Sequence, residues 1–368
     1  MSAPLRYGLI GCGVFGRFCL EAYQQMPDVT CVAVADTNVE LARTTAEALG
    51  IDFCESPAAL IARSDIDLVH LATPPFTHAE LGNAALLADK HVLCEKPLAI
   101  NIADAMGMIA LAEAHHRILA VNLIMHYNPL CQAVKSLIDC QVLGEPLYAS
   151  FVNAAQDETL TPEHWFWDRE KSGGIFIEHG VHFFDLFEWW FGQGRVVSAH
   201  QLNRPGTEIV DQVECAVRYG PSTLATFYHG FHQMKRRDRQ HWRIIFETGT
   251  LTMTEWVPTS LELDMAVSEE GLRKIQALLP EAETRISEHY PESSRHPICR
   301  HQPRIAEVHT HLSLSGRLPK MELYSQMVRD LMADQIAAIR DPSHVRRVSE
   351  QNGLTSLTTA VAAQRAAD

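Results

Sequence analysis

Gly11-Cys12-Gly13-Val14-Phe15-Gly16 places three glycines at the spacing that lets a backbone wrap a pyrophosphate. The first permits the tight turn, the second lets the chain approach the phosphates, and the third lets the next helix pack closely on its strand. The run follows an apolar stretch, Leu5–Ile10, and opens a helical pattern, Val14–Gln25. That strand–turn–helix context gives an otherwise common motif its meaning. Val14 and Phe15 fall in the first turn, where unbonded amides and the helix dipole attract an anion. Asp36 closes the next apolar run. A carboxylate there accepts hydrogen bonds from an adenosine ribose and repels a 2′-phosphate. Thr37 and Asn38 follow, with no arginine to meet that phosphate. These residues point to a dinucleotide site for NAD, with NADP disfavoured. The competing reading of Asp36 is a cap on the helix that begins near Val39.

Two further groups also close apolar runs. Thr73-Pro74-Pro75 follows Leu68–Ala72, with His78 just beyond. This is the carboxyl end of a strand, where open α/β sheets bind ligands. His78 fits either a cofactor contact or an ordinary first-turn position. Cys94-Glu95-Lys96-Pro97 ends the run His91–Cys94. A lysine there points at the same crevice, and a cation so placed stabilises alkoxide character as hydride leaves a carbinol carbon.

Downstream, Ser172-Gly173-Gly174 leads into Glu178 and His182. Four residues apart, these share one helix face, and Asp185 lies near it. A carboxylate beside an imidazole makes a general base for a hydroxyl proton. Its rate would then fall below a pKa of roughly 6–7. Glu178, His179, His182 and Asp185 also include metal-ligand types, but His179 turns partly away and hydride transfer needs no metal. The histidines from His289 to His311 lack tight ligand spacing, so no metal is expected and that segment reads as a solvated or interface loop. Trp165-Phe166-Trp167 fits either a stacking surface for a sugar or a hydrophobic loop anchor.

These side chains need a scaffold that brings several strand ends together. Short apolar runs at Leu5–Ile10, Thr30–Ala35, Leu68–Ala72, His91–Cys94 and Ile118–Val121 suit a parallel sheet covered on both faces. Helical patterns lie between them at Val14–Gln25, Val39–Leu49, Thr77–Ala88 and Ile102–His116, with Asn38 and Asn101 as N-caps. The alternation predicts a doubly wound α/β domain over residues 1–123. After it come a helix at Pro129–Leu137, a strand at Leu147–Asn153 and a helix at Ile175–Phe191. An antiparallel meander follows from Val196 to Met265, then a polar, irregular stretch over 268–318. Two helices, Met321–Ile339 and Ser349–Ala367, end the chain.

Composition excludes several classes. The net charge of −14 speaks against nucleic acid as a partner. The one basic cluster, Lys235, Arg236, Arg237 and Arg239, reads as a solvated loop. No apolar run is long enough to span a membrane. Nine scattered cysteines without a CxxC pair suit reduced thiols. With no signal-peptide pattern at the N-terminus, a cytoplasmic protein is expected.

Taken together, Gly11–Gly16, Asp36, Glu95-Lys96-Pro97 and the series Gly173-Gly174…Glu178…His182…Asp185 resemble the glucose–fructose oxidoreductase/inositol dehydrogenase/MocA family over almost the whole chain. The resemblance implies a Rossmann domain followed, over 124–368, by an α+β domain with a large, mostly antiparallel open sheet. The final helices would pack back on the first domain. It implies NAD-dependent hydride transfer at a hydroxyl or keto group of a sugar, sugar derivative or cyclitol. Homodimers or homotetramers would form through the sheet. Lys96 matches the family's catalytic lysine, His182 its histidine, and Glu95 the residue near the nicotinamide ribose. Asn122 joins the cofactor set; His126, Trp165, His179 and Asp185 join the substrate set. Glu178 stands where aspartate is usual, His126 where many members carry arginine, and Ser172 replaces a glycine. Two alternative functions share these residues: an NAD-dependent glycoside hydrolase that oxidises transiently, and a non-catalytic nucleotide-binding sensor. The presence of Lys96 and His182 weighs against the sensor.

Overall fold

The computed structural model describes residues 3–368. The chain forms two compact units that interleave along the sequence. The first takes residues up to His126, then 162–185 and 324–364; the second takes 127–161, 186–323 and 365–368. The sequence pattern divides the chain at residues 123/124, with the final helices packing back on the first domain. Among the compact units, the segment bearing Glu178 and His182 belongs to the first, as do most residues of the last two helices.

In the first unit, β1 (Leu5–Ile10), β2 (Val29–Ala35), β3 (Asp52–Cys54), β4 (Leu68–Leu71), β5 (His91–Cys94) and β6 (Leu119–Val121) form one parallel sheet in the order 3-2-1-4-5-6. The connecting helices are α1 (Val14–Tyr23), α2 (Val39–Leu49), α3 (Pro57–Ile61), α4 (His78–Leu87) and α5 (Ile102–Ala114). Leu9, Val34, Val69, Leu71, Val92 and Leu93 are all fully buried, as expected of strands covered on both faces. Asn38 and Asn101 cap α2 and α5 by accepting from Leu41 N and Asp104 N. The strand order reverses between β1 and β4, so the loops after β1, β4 and β5 meet at the switch point where such sheets bind ligands.

Beyond the sheet come α6 (Pro129–Asp139), β7 (Pro146–Gln156), the single turn α7 (Arg169–Ser172) and α8 (Val181–Phe191). The expected helix Ile175–Phe191 is not uniform: Phe176–Gly180 is a π-helical turn, and the α-helix starts at Val181.

The second unit is built on a nine-stranded sheet. It comprises β7 with β8 (Gly194–Asn203), β9 (Val210–Tyr219), β10 (Thr223–Gln233), β11 (Arg239–Phe246), β12 (Gly249–Thr254), β13 (Ser260–Val267), β14 (Glu283–His289) and, beyond the two-residue strands β15 (Ile298–Cys299) and β16 (Gln302–Pro303), β17 (Val308–Ser315). Pairing is antiparallel except between β7 and β10. Its core packs aromatic rings at tilted angles: the Trp242 ring lies 4.3 Å from that of Phe151 and the Phe187 ring 4.6 Å from that of Phe227.

The stretch over 268–318 is less irregular than its composition suggests. It holds α9 (Glu269–Leu278) and two strands that extend the sheet's edge. His309 and His311 pair there with Asp264 and Glu262. Lys235–Arg237 is an exposed turn. The closing helices are α10 (Lys320–Arg340) and α11 (Glu350–Ala367). Among the described residues no helix is long and apolar enough to cross a membrane.

Candidate active site

Every residue singled out for chemistry lies in the first unit. Gly11 adopts φ +103°, and a Cβ on it would stand 2.3 Å from the Ala72 carbonyl oxygen. A Cβ on Gly16 would stand 2.0 Å from the oxygen of Gly11. Both glycines are therefore demanded by the fold itself. Gly13 is different: a Cβ there would meet nothing within 4 Å. It caps α1 without a side-chain bond to the first-turn amides, and Val14 beside it is 82% exposed. Open space over an uncapped helix N-terminus is what a pyrophosphate requires, so these residues fit a dinucleotide.

Asp36 is anchored on both sides. Its Oδ2 accepts from Cys12 N at 2.8 Å and its Oδ1 from Asn38 N at 2.8 Å. The carboxylate thus holds the glycine loop against the start of α2, and remains half-exposed.

Lys96 extends from the end of β5 to the π-helical turn. Its Nζ donates to the Glu178 carbonyl oxygen at 2.7 Å and to Glu178 Oε1 at 2.6 Å. Glu178 had been expected beside His182; it bonds to the lysine instead. An ammonium is the stronger claimant on a carboxylate, because a charge-assisted bond outweighs one to a neutral ring. His182 is indeed held neutral: burial, then the Lys96 charge and His179, push its imidazole well below its ordinary range. Burial and Lys96 likewise push His179 down to about 3. Lys96, Glu178, His179 and His182 are therefore brought together, two imidazoles facing one ammonium. Such π-turns recur at functional sites.

Other residues take different places from those expected. His78 is fully buried, with Nδ1 at 2.7 Å from the Pro97 carbonyl and Nε2 at 2.9 Å from the Thr73 carbonyl. Burial lowers its pKa, with the two carbonyls opposing that shift. The neutral ring carries one N–H, so it donates to one of these two carbonyls at a time, and it packs between the loops after β4 and β5. His126 and Asp185 are almost inaccessible and bond to each other, Nε2 to Oδ2, at 2.8 Å. Asn352 donates to the other Asp185 oxygen at 3.1 Å, and Arg347 to the His126 carbonyl at 3.1 Å. These contacts tie α8 to the turn after β6 and to α11. Trp165 is half-buried against His164, with ring centroids 5.2 Å apart. Ser172, in the glycine's place, accepts from Gly174 N and donates to the Asp168 carbonyl, closing the turn before the π-helix. Asn122 is buried and donates to Glu95 Oε1 at 2.8 Å.

Arg347 and Asn352 escaped the sequence reading, since nothing local marks them. His70, a lone histidine in the apolar strand β4, did carry a signal and was passed over.

Residues 5–123 match the profile of an oxidoreductase family with an NAD-binding Rossmann fold, and residues 131–252 match the GFO/IDH/MocA C-terminal domain. The dTDP-3,4-didehydro-2,6-dideoxy-alpha-D-glucose 3-reductase of Streptomyces violaceoruber is 30% identical over 255 residues, 68% of this chain and 72% of that one. The myo-inositol 2-dehydrogenase of Thermotoga maritima is 27% identical over 209 residues, 56% of this chain and 60% of that one. The WlbA dehydrogenase from Bordetella pertussis, solved with NADH and UDP-GlcNAcA, has the same fold, with a TM-score of 0.79 at 20% identity and coverage of 100% and 96%. The class defined by this fold and these matches is that of dehydrogenases and reductases with a nicotinamide-dinucleotide Rossmann domain. The chain belongs to the GFO/IDH/MocA oxidoreductase family.

The two kinds of glycine separate binding from folding. Gly13→Ala is expected to leave the thermal unfolding midpoint unchanged while weakening NADH binding at least tenfold, or about 1.4 kcal/mol. Gly16→Ala should lower the midpoint itself. Calorimetric titration beside thermal melts checks both; normal NADH affinity in Gly13→Ala would contradict the cradle.

Proposed function

We propose that this chain is an NAD-dependent dehydrogenase acting on a hydroxyl of a sugar, sugar derivative or cyclitol, and reducing the matching ketone in reverse. The observation that carries the reading is the Lys96–Glu178 bond, which sets an ammonium beside two neutral imidazoles at the switch point of a dinucleotide-binding sheet. The named activities of the relatives, a sugar-nucleotide reductase and an inositol dehydrogenase, support the substrate class. NAD when bound supplies the hydride acceptor, with Gly11, Gly13, Val14, Phe15 and Gly16 at its pyrophosphate, Asp36 at the adenosine ribose, and Thr73, Pro74, Pro75, Glu95 and Asn122 along the nicotinamide half.

His182, neutral because of its burial, takes the proton of the substrate hydroxyl. Lys96 donates a hydrogen bond to the oxygen as it gains alkoxide character, and Glu178 keeps that ammonium in one place. His179 borders the same space, and Trp165 offers a ring for a sugar face. The His126–Asp185 pair keeps α8, and with it His182, in register. Assembly as a homodimer or homotetramer through the nine-stranded sheet, in the cytoplasm, completes the reading.

Lys96→Met should abolish hydride transfer while NAD affinity stays within a few-fold. With a free sugar or cyclitol, the wild type should form NADH in proportion to product. Incubation with glycosides and limiting NAD tests the hydrolase alternative: many aglycones released per NAD, with no NADH absorbance, would replace this reading.

The direction of the His182 shift sets the pH profile. An imidazole whose pKa is lowered stays deprotonated, and competent as a base, further into acid. The acid limb of substrate oxidation should therefore fall below the ordinary imidazole value of about 6.5, and not in the 6–7 window expected of an unperturbed ring. His182→Asn should remove that limb; an identical profile in the variant would assign the base elsewhere.

A fixed carboxylate at Asp36 repels a 2′-phosphate. Steady-state kinetics should show preference for NAD over NADP, reduced in Asp36→Ser. Wild-type preference for NADP would reverse the assignment.

A further inference from the structure

His70 sits third in β4, between Val69 and Leu71, with no exposed surface. A parallel strand covered on both faces calls for an aliphatic side chain there, and burying an imidazole costs free energy unless its polar atoms are used. Its Nε2 meets Glu95 Oε1 at 3.1 Å. Asn122 Nδ2 donates to the same oxygen at 2.8 Å. The bond makes Nε2 the proton-bearing nitrogen, and Nδ1 has no partner among the described residues. The ring is thus committed to one task.

Its surroundings explain why that task matters. Cys19, Tyr23 and Tyr324 close round the carboxyl group, and each is pushed well up in pKa, first by burial and further by the Glu95 charge. They therefore remain in their neutral, protonated forms. Glu95 itself is buried among these side chains, where a polar group keeps its place only through hydrogen-bond partners. Two donors on Oε1 hold it in one rotamer and leave Oε2 as its free acceptor.

We propose that His70 is a positioning residue for the cofactor. By fixing Glu95 Oε1 from inside the sheet, it aims Oε2 at a hydroxyl of the nicotinamide ribose. This rests on the reading of Glu95 as a ribose ligand given above. Cys19, His70 and Glu95 also have ligand atoms within 4.8 Å of one another, so a buried metal is the rival explanation of the same cluster.

The test compares His70→Leu, His70→Gln and Glu95→Gln by titration with NADH and, separately, with ADP, which lacks the nicotinamide half. His70→Leu should weaken NADH about tenfold, or about 1.4 kcal/mol, and leave ADP affinity unchanged. His70→Gln, which returns a donor near the Nε2 position, should restore NADH affinity to within about threefold, or about 0.7 kcal/mol. In kinetics the loss should appear in KM for NAD more than in kcat. If Glu95→Gln weakens NADH and His70→Leu does not, His70 merely fills space and the proposal fails. If Glu95→Gln binds NADH normally, the ribose reading of Glu95 fails first. Equal loss of ADP and NADH in His70→Leu would mean general damage to the fold, and overturns the proposal unless His70→Gln restores NADH alone. One zinc per chain in the purified protein, lost in Cys19→Ser, would replace the positioning role with a metal site.

Discussion

The bond from Lys96 to Glu178 is the contact around which the candidate site is arranged. Both side chains are less than one-fifth exposed, so each charge depends on the other: removing one partner would strand a poorly hydrated ion. The lysine is also held by a backbone carbonyl in the π-helical turn, which a side-chain substitution at residue 178 would not remove. Behind it, His78 fastens the loop that carries Lys96 to the loop after β4. On the far side, Asp185 receives His126 and Asn352 and fixes the helix that follows the turn. The ammonium is thus approached by three independently braced pieces of backbone. Preorganisation of this kind spares a site from reorienting its dipoles when charge develops.

The glycine loop shows the same economy. Asp36 was read from the sequence either as a ribose ligand or as a helix cap. Its two oxygens hold the Cys12 and Asn38 amides, while the cap of α2 is Asn38 itself. The carboxylate is thus fixed between the glycine loop and the residue that caps the helix.

The Rossmann half was legible because its signals are local: apolar runs, glycine spacing and Asn caps all lie within one element. What stayed hidden depends on tertiary partners. The π-helical turn at Phe176–Gly180 has no compositional mark, and Glu178 could choose between His182 and Lys96 only once β5 was beside it. In the sequence His78 fits a cofactor contact or a first-turn position equally well; its burial between carbonyls of two loops appears only in the fold. β14 is exposed along nearly its whole length, so neither period two nor an apolar run betrays it. β17, by contrast, alternates plainly, with Val308, Thr310 and Leu312 inward and His309 and His311 outward. Reading the segment as a solvated or interface loop left that strand out.

The interleaving of the chain has a consequence for how the protein comes into being. Asp185 meets Asn352 across 167 residues of sequence, and Arg347 reaches the His126 carbonyl across 221. Contacts so distant in sequence form late, because loop closure must precede them. A nascent chain that has completed its parallel sheet still lacks the braces on α8 until α11 has been made. The contacts that brace α8 therefore draw on segments far downstream in the sequence, while the parallel sheet is assembled from segments made earlier.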